Sequence, residues 1–350
     1  MVKWQSRLKM SKIISLLSSG LFLFREIGGM RYVLVVREVA LFLGFFVLGL
    51  LVFSFIVGLA GGWFLARGKK LFKLAISKKD RVLFFSPHQD DETLAAGGLL
   101  SYLSLKKISK RLVFLTNGDG NPILLARRKS AKFDPEKFVK EAIEIRFKEA
   151  KLASRRLGVK AKEIVFLGYP EVSLSRMFKR PREAVIGRMT RLTHNPYRFS
   201  SNFGKENKGE NLLKNLKEEI VKFSPTVIFV SHRKDNNPDH RAVYNFVLKA
   251  IKETGWKGRL FQYLIHFRLR GIWRIYPGKK KFEESWAIYP PLKLWQKNSW
   301  FSFWLTVKEW ERKKKALSAY KSQRNLPTLR GLFRSFLAHN EIFEEQRYEI

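Results

Sequence analysis

Twenty-eight consecutive residues, Val39–Ala66, carry no charged side chain (VALFLGFFVLGLLVFSFIVGLAGGWFLA). About 20 apolar residues in a helix are enough to cross the ~30 Å hydrocarbon layer of a bilayer. A buried helix of a soluble core seldom stays uncharged for so long, so the run predicts a transmembrane helix over residues 39–66, with tilt or one end in the interface. That divides the chain into an N-terminal segment of 38 residues, a membrane span, and 284 residues beyond it.

The N-terminal segment, residues 1–38, is basic. Its apolar stretch Ile13–Phe24 is too short to span and then meets Arg25 and Glu26, which suits a helix lying in the membrane interface. A cleaved signal peptide is the alternative, with Lys3, Arg7, Lys9 and Lys12 as its n-region, but no small-x-small cleavage site follows. The 15 residues before the span hold three Lys or Arg and the 15 after it hold seven, which places the large C-terminal part in the cytoplasm as a single-pass protein. Counting the whole N-terminal tail evens that balance at seven each.

After a basic linker, residues 67–79, the pattern changes. Arg81–Ser86, Arg111–Thr116, Glu163–Leu167 and Thr226–Ser231 read as continuous apolar strands, separated by helical periodicity over Glu136–Leu157 and Asn211–Phe223. Strands apolar on both faces and alternating with helices predict an α/β fold, a mainly parallel sheet with helices on both faces, over residues 80–350. Ligands of such sheets gather at the carboxyl ends of the strands. The polar stretch Asn202–Asn211 reads as a mobile loop. Six of the nine Trp fall between Trp273 and Trp310, within an aromatic, basic C-terminal part from about residue 267. Trp300, Phe303, Trp304, Val307 and Trp310 recur at helical spacing and predict one apolar helix stripe, packed on the core or lying in the membrane interface.

The formal net charge is +38, of which +33 lies beyond the span. Such a balance points to an anionic partner. Beside a membrane helix, anionic leaflet lipids supply one, so the membrane and its anionic lipids are the expected partners and no nucleic acid is needed. With 45% hydrophobic residues the chain is not disordered, and with no cysteine it has neither disulfides nor a thiolate metal site.

Two motifs stand at predicted strand ends. Arg81–Ser86 runs into Pro87-His88-Gln89-Asp90-Asp91-Glu92, and Thr226–Ser231 into His232-Arg233-Lys234-Asp235-Asn236-Asn237-Pro238-Asp239-His240-Arg241. Carboxylates at a helix start often only cap it. Imidazole and carboxylate at the ends of two strands exceed what capping needs, and mixed N/O donors suit a divalent ion, Zn²⁺ first and Fe²⁺ as the alternative. Adjacent Asp side chains diverge, so one can ligate while the other serves as a base. His266, after a predicted strand Arg259–Ile265, is a further candidate at the same edge, with a buried structural histidine as the alternative.

Pro87–Glu92 with Thr93–Gly98, combined with Asn236–Arg241, resembles the LmbE-like/PIG-L de-N-acetylases, metal-dependent amidases of Rossmann-like fold that act on N-acetylglucosamine-type sugars. Thr116–Gly120, Arg146–Ala150, Leu167–Glu171, Ala316–Gln323 and Asn340–Phe343 add weaker echoes. The resemblance implies a metal held by His88, Asp91 and His240, with Asp90 as general base and Asp239 orienting the site. It also implies sugar contacts for Arg146 and Glu171. Activated water would attack the acetyl carbonyl and release acetate and the free amine. Where many relatives carry a His that stabilises the oxyanion, this chain has Asn237, which can donate but cannot act as an acid. The expected function is a membrane-anchored N-deacetylase acting on a lipid-linked or anionic amino-sugar conjugate. The alternatives are a weakly catalytic anionic lipid- or glycan-binding protein on the same fold, and a membrane-tethered nucleic-acid binder.

Overall fold

The computed structural model describes residues 32–66, 71–120, 135–267, 277, 286–295 and 299–346, and the chain divides into two units, 1–69 and 70–350. The interfacial segment expected at Ile13–Phe24 lies outside the described residues.

In the first unit, α1 (Tyr32–Ala66) is a single helix of 35 residues, about 52 Å long at 1.5 Å per residue. It starts seven residues before the charge-free run, because Tyr32–Val36 continue the apolar pattern through Arg37 and Glu38. Phe42, Phe45, Phe46, Phe53 and Phe55 are all exposed, and none of the stretch Ala40–Val57 is buried. Length and composition suit a membrane span, and a signal sequence passes the same test.

The second unit is built on one eight-stranded sheet. Its strands are β1 (Leu71–Lys73), β2 (Arg81–Ser86), β3 (Ser109–Thr116), β4 (Ile164–Tyr169), β5 (Val227–Ser231), β6 (Arg259–Tyr263), β7 (Trp300–Trp304) and β8 (Asn340–Gln346). They lie in the order β1-β7-β8-β6-β5-β2-β3-β4. The run β6-β5-β2-β3-β4 is parallel throughout, whereas β8 is antiparallel to both β6 and β7. From β2 the chain runs outward through β3 and β4, and returns to lay β5 on the other side of β2. The topological switch point therefore falls between β2 and β5, where ligands of open α/β sheets bind.

Side-chain alternation explains the unbroken apolar strands. Val82, Phe84, Leu112, Phe114, Val227 and Phe229 face one core, while Leu83, Phe85, Val113, Leu115, Ile228 and Val230 face another. The first core is covered by α2 (Asp91–Leu105), α3 (Pro135–Arg156), α8 (Val307–Leu317) and α10 (Pro327–Ser335); between the last two in sequence lies the short α9 (Lys321–Arg324). The second is covered by α4 (Leu174–Lys179), α5 (Gly209–Phe223) and α6 (Pro238–Thr254), and one further short helix, α7 (Leu292–Trp295), lies between β6 and β7.

Helix α2 is broken at Ala96 (φ −142°, ψ 20°), which frees the amides of Gly98 and Leu99. Both donate to the buried carboxylate of Glu341, at 2.7 and 2.8 Å, and the Lys313 ammonium donates to the same carboxylate at 2.8 Å. A cap is thus supplied in mid-helix, from β8 and α8. A Cβ on Gly97 would stand 2.9 Å from Cγ of Lys313, so the close approach requires glycine there.

Three expectations are corrected. Part of the linker 67–79 is strand: Leu71–Lys73 pairs with Trp300–Ser302, so the compact unit begins at about Lys70. The aromatic stripe is not one helix. Trp300–Trp304 is strand β7, with Trp300 and Ser302 buried and Phe301 and Phe303 half-buried, a period of two. The helix begins only at Val307, where Thr306 and Glu309 form a reciprocal capping box. Aromatic residues at 300, 303 and 304 fit either period, and the antiparallel pairing with β8 decides for the strand. Finally, Asn202–Asn211 is not a free loop. Asn202 and Asn207 are buried, Asn207 N–H donates to Thr193 O at 2.7 Å, and α5 starts at Gly209.

Candidate metal centre

The turn after β2 carries the first half of the site. Asp91 opens α2, and its Oδ2 accepts the backbone N–H of His88 at 3.0 Å, closing the turn on itself. Asp90 sits at φ 133°, ψ −28°, a conformation that costs an L-residue on the order of 1–3 kcal/mol. Its N–H donates to Glu92 Oε2 at 3.0 Å, and its C=O accepts the N–H groups of Thr93 and Leu94. Consecutive Asp90 and Asp91 thereby meet different partners, Asp91 the imidazoles of His88 and His240 and Asp90 the guanidinium of Arg146.

The second half follows β5. Ser231 Oγ donates to the carbonyl of His240 at 2.7 Å. The carboxylate of Asp235 gathers three backbone amides: Asn237 on Oδ1 at 2.8 Å, and Ile265 and His266 on Oδ2 at 3.0 Å each. Asn237 caps α6 by accepting the N–H of Asp239 at 2.9 Å, with Pro238 in the first turn. These bonds fix His240 on the buried side of the first turn of α6.

The two halves meet. Asp91 Oδ2 lies 3.2 Å from His88 Nδ1 and 3.1 Å from His240 Nε2, and the two imidazole nitrogens are 3.2 Å apart. Two donors ~2 Å from one tetrahedral ion stand about 3.3 Å apart, so the His–Asp–His set has the chemistry and nearly the spacing of a divalent-metal site. Asp90 is not part of it. On the far side of His240, Asp235 Oδ2 is 3.1 Å from Nδ1 but lies off the line of an N–H bond, leaving Nδ1 without an aligned partner. Electrostatics favour a cation here. Burial works against charging His240, but the carboxylates of Asp235 and Asp91 raise its pKa to about 10. Burial likewise opposes charging His88, yet Glu171, Asp239 and Asp91 hold it well above its usual value. Burial tends to raise Asp91, and the two imidazoles overcome it and keep the carboxyl well below the carboxylate range.

A cleft of about 270 Å³ opens beside the cluster, and Asp90, Arg146, Glu171, Asn237, Asp239 and His266 all line it. Burial pushes the Asp90 carboxyl up to about 7, against the pull of Arg146, whose Nη1 donates to Asp90 Oδ2 at 3.3 Å. Asp239 uses both oxygens, accepting the N–H groups of Val172 at 2.6 Å and Leu174 at 3.2 Å, with Oδ2 3.5 Å from His88 Nε2. It ties the turn that bears Glu171 to the imidazole. Burial and then the charge of His240 push His266 down to about 4, so it is neutral at pH 7. Gly118, at φ +81°, lets the backbone pass close to Arg146, since a Cβ there would lie 2.9 Å from its Nε.

Sequence reasoning assigned no role to several residues around this cleft. Asp235 carries a five-residue offset to His240 that could have marked it. Glu92 is buried and accepts from both Thr93 Oγ1 and Tyr320, which joins the C-terminal Ala316–Gln323 motif to the site. Burial and the neighbouring Glu171 push Asp119 up to about 8. Gln323, Leu332 and Phe333 close the cleft wall, and no motif flagged Leu332 or Phe333. His232 is elsewhere, buried against Glu344 and stacked on Trp300.

Fold and cleft thus define a Rossmann-like α/β domain with a candidate metal site at its switch point. Residues 83–251 match the family model of PIG-L, described as GlcNAc-PI de-N-acetylase. The match includes every residue of the site named above up to His240, but neither His266 nor the C-terminal wall. No curated protein matches the sequence significantly. Similar solved structures include the A40926 pseudoaglycone deacetylase Dbv21, at 16% identity over 78% of this chain and 99% of that one, TM-score 0.49. The N,N′-diacetylchitobiose deacetylase from Pyrococcus horikoshii is 17% identical over 76% and 84%, TM-score 0.47. The 4-carboxy-2-hydroxymuconate hydratase from Pseudomonas putida KT2440 is 12% identical over 77% and 98%, TM-score 0.44. At these identities the likeness carries nothing about activity.

Proposed function

We propose that this protein is a metal-dependent hydrolase that removes the acetyl group from an N-acetylated amino sugar, and that α1 anchors it in a membrane. The observation that carries the reading is the division of labour at the β2 turn: Asp91 closes a His–Asp–His cluster while Asp90, with its carboxyl raised to about 7, stands free of it in the same cleft. The PIG-L match over the same residues supports it. We place the substrate among lipid-linked or anionic glycoconjugates, as the membrane helix and the +38 charge suggest, and the domain in the cytoplasm.

A divalent ion held by His88, Asp91 and His240, zinc before iron, supplies Lewis-acid activation of water and of the amide carbonyl when bound. The rest is done by the chain. Asp90 accepts a proton from the attacking water and returns it to the leaving nitrogen, so one amide and one water give one amine and one acetate. A group with a pKa near 7 serves both directions. Arg146 steadies the ionised form of Asp90. Asn237 spends its Oδ1 as a helix cap, which leaves the Nδ2 amide as its donor for the developing oxyanion. Glu171 offers acceptors for sugar hydroxyls, and Arg146 the donors it does not spend on Asp90. His266, neutral at pH 7, is a hydrogen-bonding group there, not an acid.

The reading is tested by acetate release from N-acetylglucosamine lipids, nucleotide sugars and glycans by the purified full-length chain with zinc. Asp90→Asn should abolish turnover while keeping the metal. Equal turnover in Asp90→Asn and the unmodified chain would overturn the assignment of the base.

A further inference from the structure

Against the outer side of the cleft lies a second, larger concavity of about 650 Å³, built by α8, α9 and α10. Helical spacing aligns its cations. Arg330 and Arg334 are four residues apart on α10, and Lys314 and Lys315 follow Trp310 and Glu311 by four on α8. Arg324 closes the end of α9. All five cations are exposed, and none has a carboxylate within ion-pair distance among the described residues. Lys314 instead lies over the Trp310 ring, 4.8 Å from its centroid. Glu311 is the one acidic residue of the lining.

Five cations on one concave surface, without a carboxylate partner among the described residues, repel one another, and the arrangement is relieved by a multiply charged anion. The groove is also joined to the cleft. Phe333 lines both, and Gln323 in the cleft wall is followed directly by Arg324 in the groove. A second basic concavity, at Lys148, Lys151 and Arg155, shares no lining residue with the cleft.

We propose that the α8–α10 groove binds the phosphate groups of the substrate, about two of them by charge. The acetamido sugar then occupies the metal cleft, and the substrate class is an amino sugar carried on a diphosphate or an equivalent pair of phosphates. The substrate assignment rests on the deacetylase reading; the phosphate site does not. Phe333 forms the shared wall over which sugar and phosphate part.

Two measurements on the full chain in neutral phosphatidylcholine nanodiscs test this. Pyrophosphate is titrated into the unmodified chain, Arg324→Gln/Arg330→Gln/Arg334→Gln, and the charge-matched Lys148→Gln/Lys151→Gln/Arg155→Gln. The groove variant should bind roughly tenfold or more weakly and the control within about twofold. Equal weakening in both would overturn the site in favour of general charge attraction. The kcat/KM for acetate release is then compared on UDP-N-acetylglucosamine and on neutral N,N′-diacetylchitobiose. Loss of roughly tenfold in the groove variant on the phosphorylated substrate alone supports the proposal, and equal loss on both overturns it. Pyrophosphate binding abolished when anionic lipid is added to the nanodisc would assign the groove to bilayer headgroups and overturn the substrate assignment. Selective pyrophosphate binding with no acetate release from any conjugate would keep the groove and overturn the deacetylase reading.

Discussion

The backbone N–H of Asp90 donates to the side chain of Glu92 two residues on, at 3.0 Å, and the other oxygen of Glu92 accepts the hydroxyl of Tyr320. The unfavourable backbone conformation of the proposed base is thus held by a buried carboxylate that is itself held from the far end of the chain. Tyr320→Phe removes one of those bonds without opening a cavity. It should lower kcat roughly tenfold with metal content unchanged, and Glu92→Gln, which sets an NH₂ against one of its donors, should lower it further. Metal analysis alongside kcat checks both, and unaltered kcat in Glu92→Gln would remove Glu92 from the positioning of Asp90.

The pH profile reports on Asp90. Burial raises its carboxyl to about 7 and Arg146 restrains it from rising further. A base must be ionised, so kcat/KM should climb with pH and level off above about 7, with a bound cation moving the limb lower. Arg146→Met removes the restraint, and its acid limb should move to higher pH. A limb that stays in place would show that Asp90 is not the titrating group.

Protons and metal compete for His240. Its folded pKa of about 10 exceeds the unfolded value near 6.5. The stabilisation from charging it is therefore complete below about 6.5 and is lost as pH rises towards 10. Metal-free protein should melt progressively lower over that window, while the increment added by zinc grows with pH. Thermal melts with and without zinc between pH 6.5 and 9, with proton release followed by calorimetry in two buffers, measure both effects.

Glu341 bridges the break in α2 and neutralises Lys313 in the core. Glu341→Ala leaves a buried ammonium and two amides without partners, for a loss of about 3–5 kcal/mol. Chemical denaturation checks the figure. Because α2 carries Asp91 at its start, zinc affinity should weaken as well. An unchanged midpoint would contradict the cap.

Much of this molecule is visible in its residue order. The strands β2, β3 and β5 are continuous apolar runs because they are buried on both faces, and the switch point follows from two neighbouring strands each ending in His and Asp. The pairing of β2 with β5 then brings His88, Asp91 and His240 to within hydrogen-bonding distance. What stayed hidden depends on contacts distant in sequence. Strand β7 was obscured because 300, 303 and 304 fit two periods, and pairing with β8 and β1 selects one. Leu71–Lys73 became a strand by pairing with residues more than two hundred positions away. Asn202 and Asn207, polar and loop-like in sequence, are buried within the fold, where Asn207 is hydrogen-bonded. The Glu92–Tyr320 bond spans 228 positions and leaves no local pattern.

The central claim is a divalent ion at the His–Asp–His cluster that is required for deacetylation. Elemental analysis of the purified full-length chain, with acetate release measured on the same sample, tests it most directly. About one divalent ion per folded chain is expected, with both ion and acetate release lost in His88→Ala/His240→Ala. A correctly folded chain that contains no metal, takes up none from zinc-containing buffer and still releases acetate would contradict it.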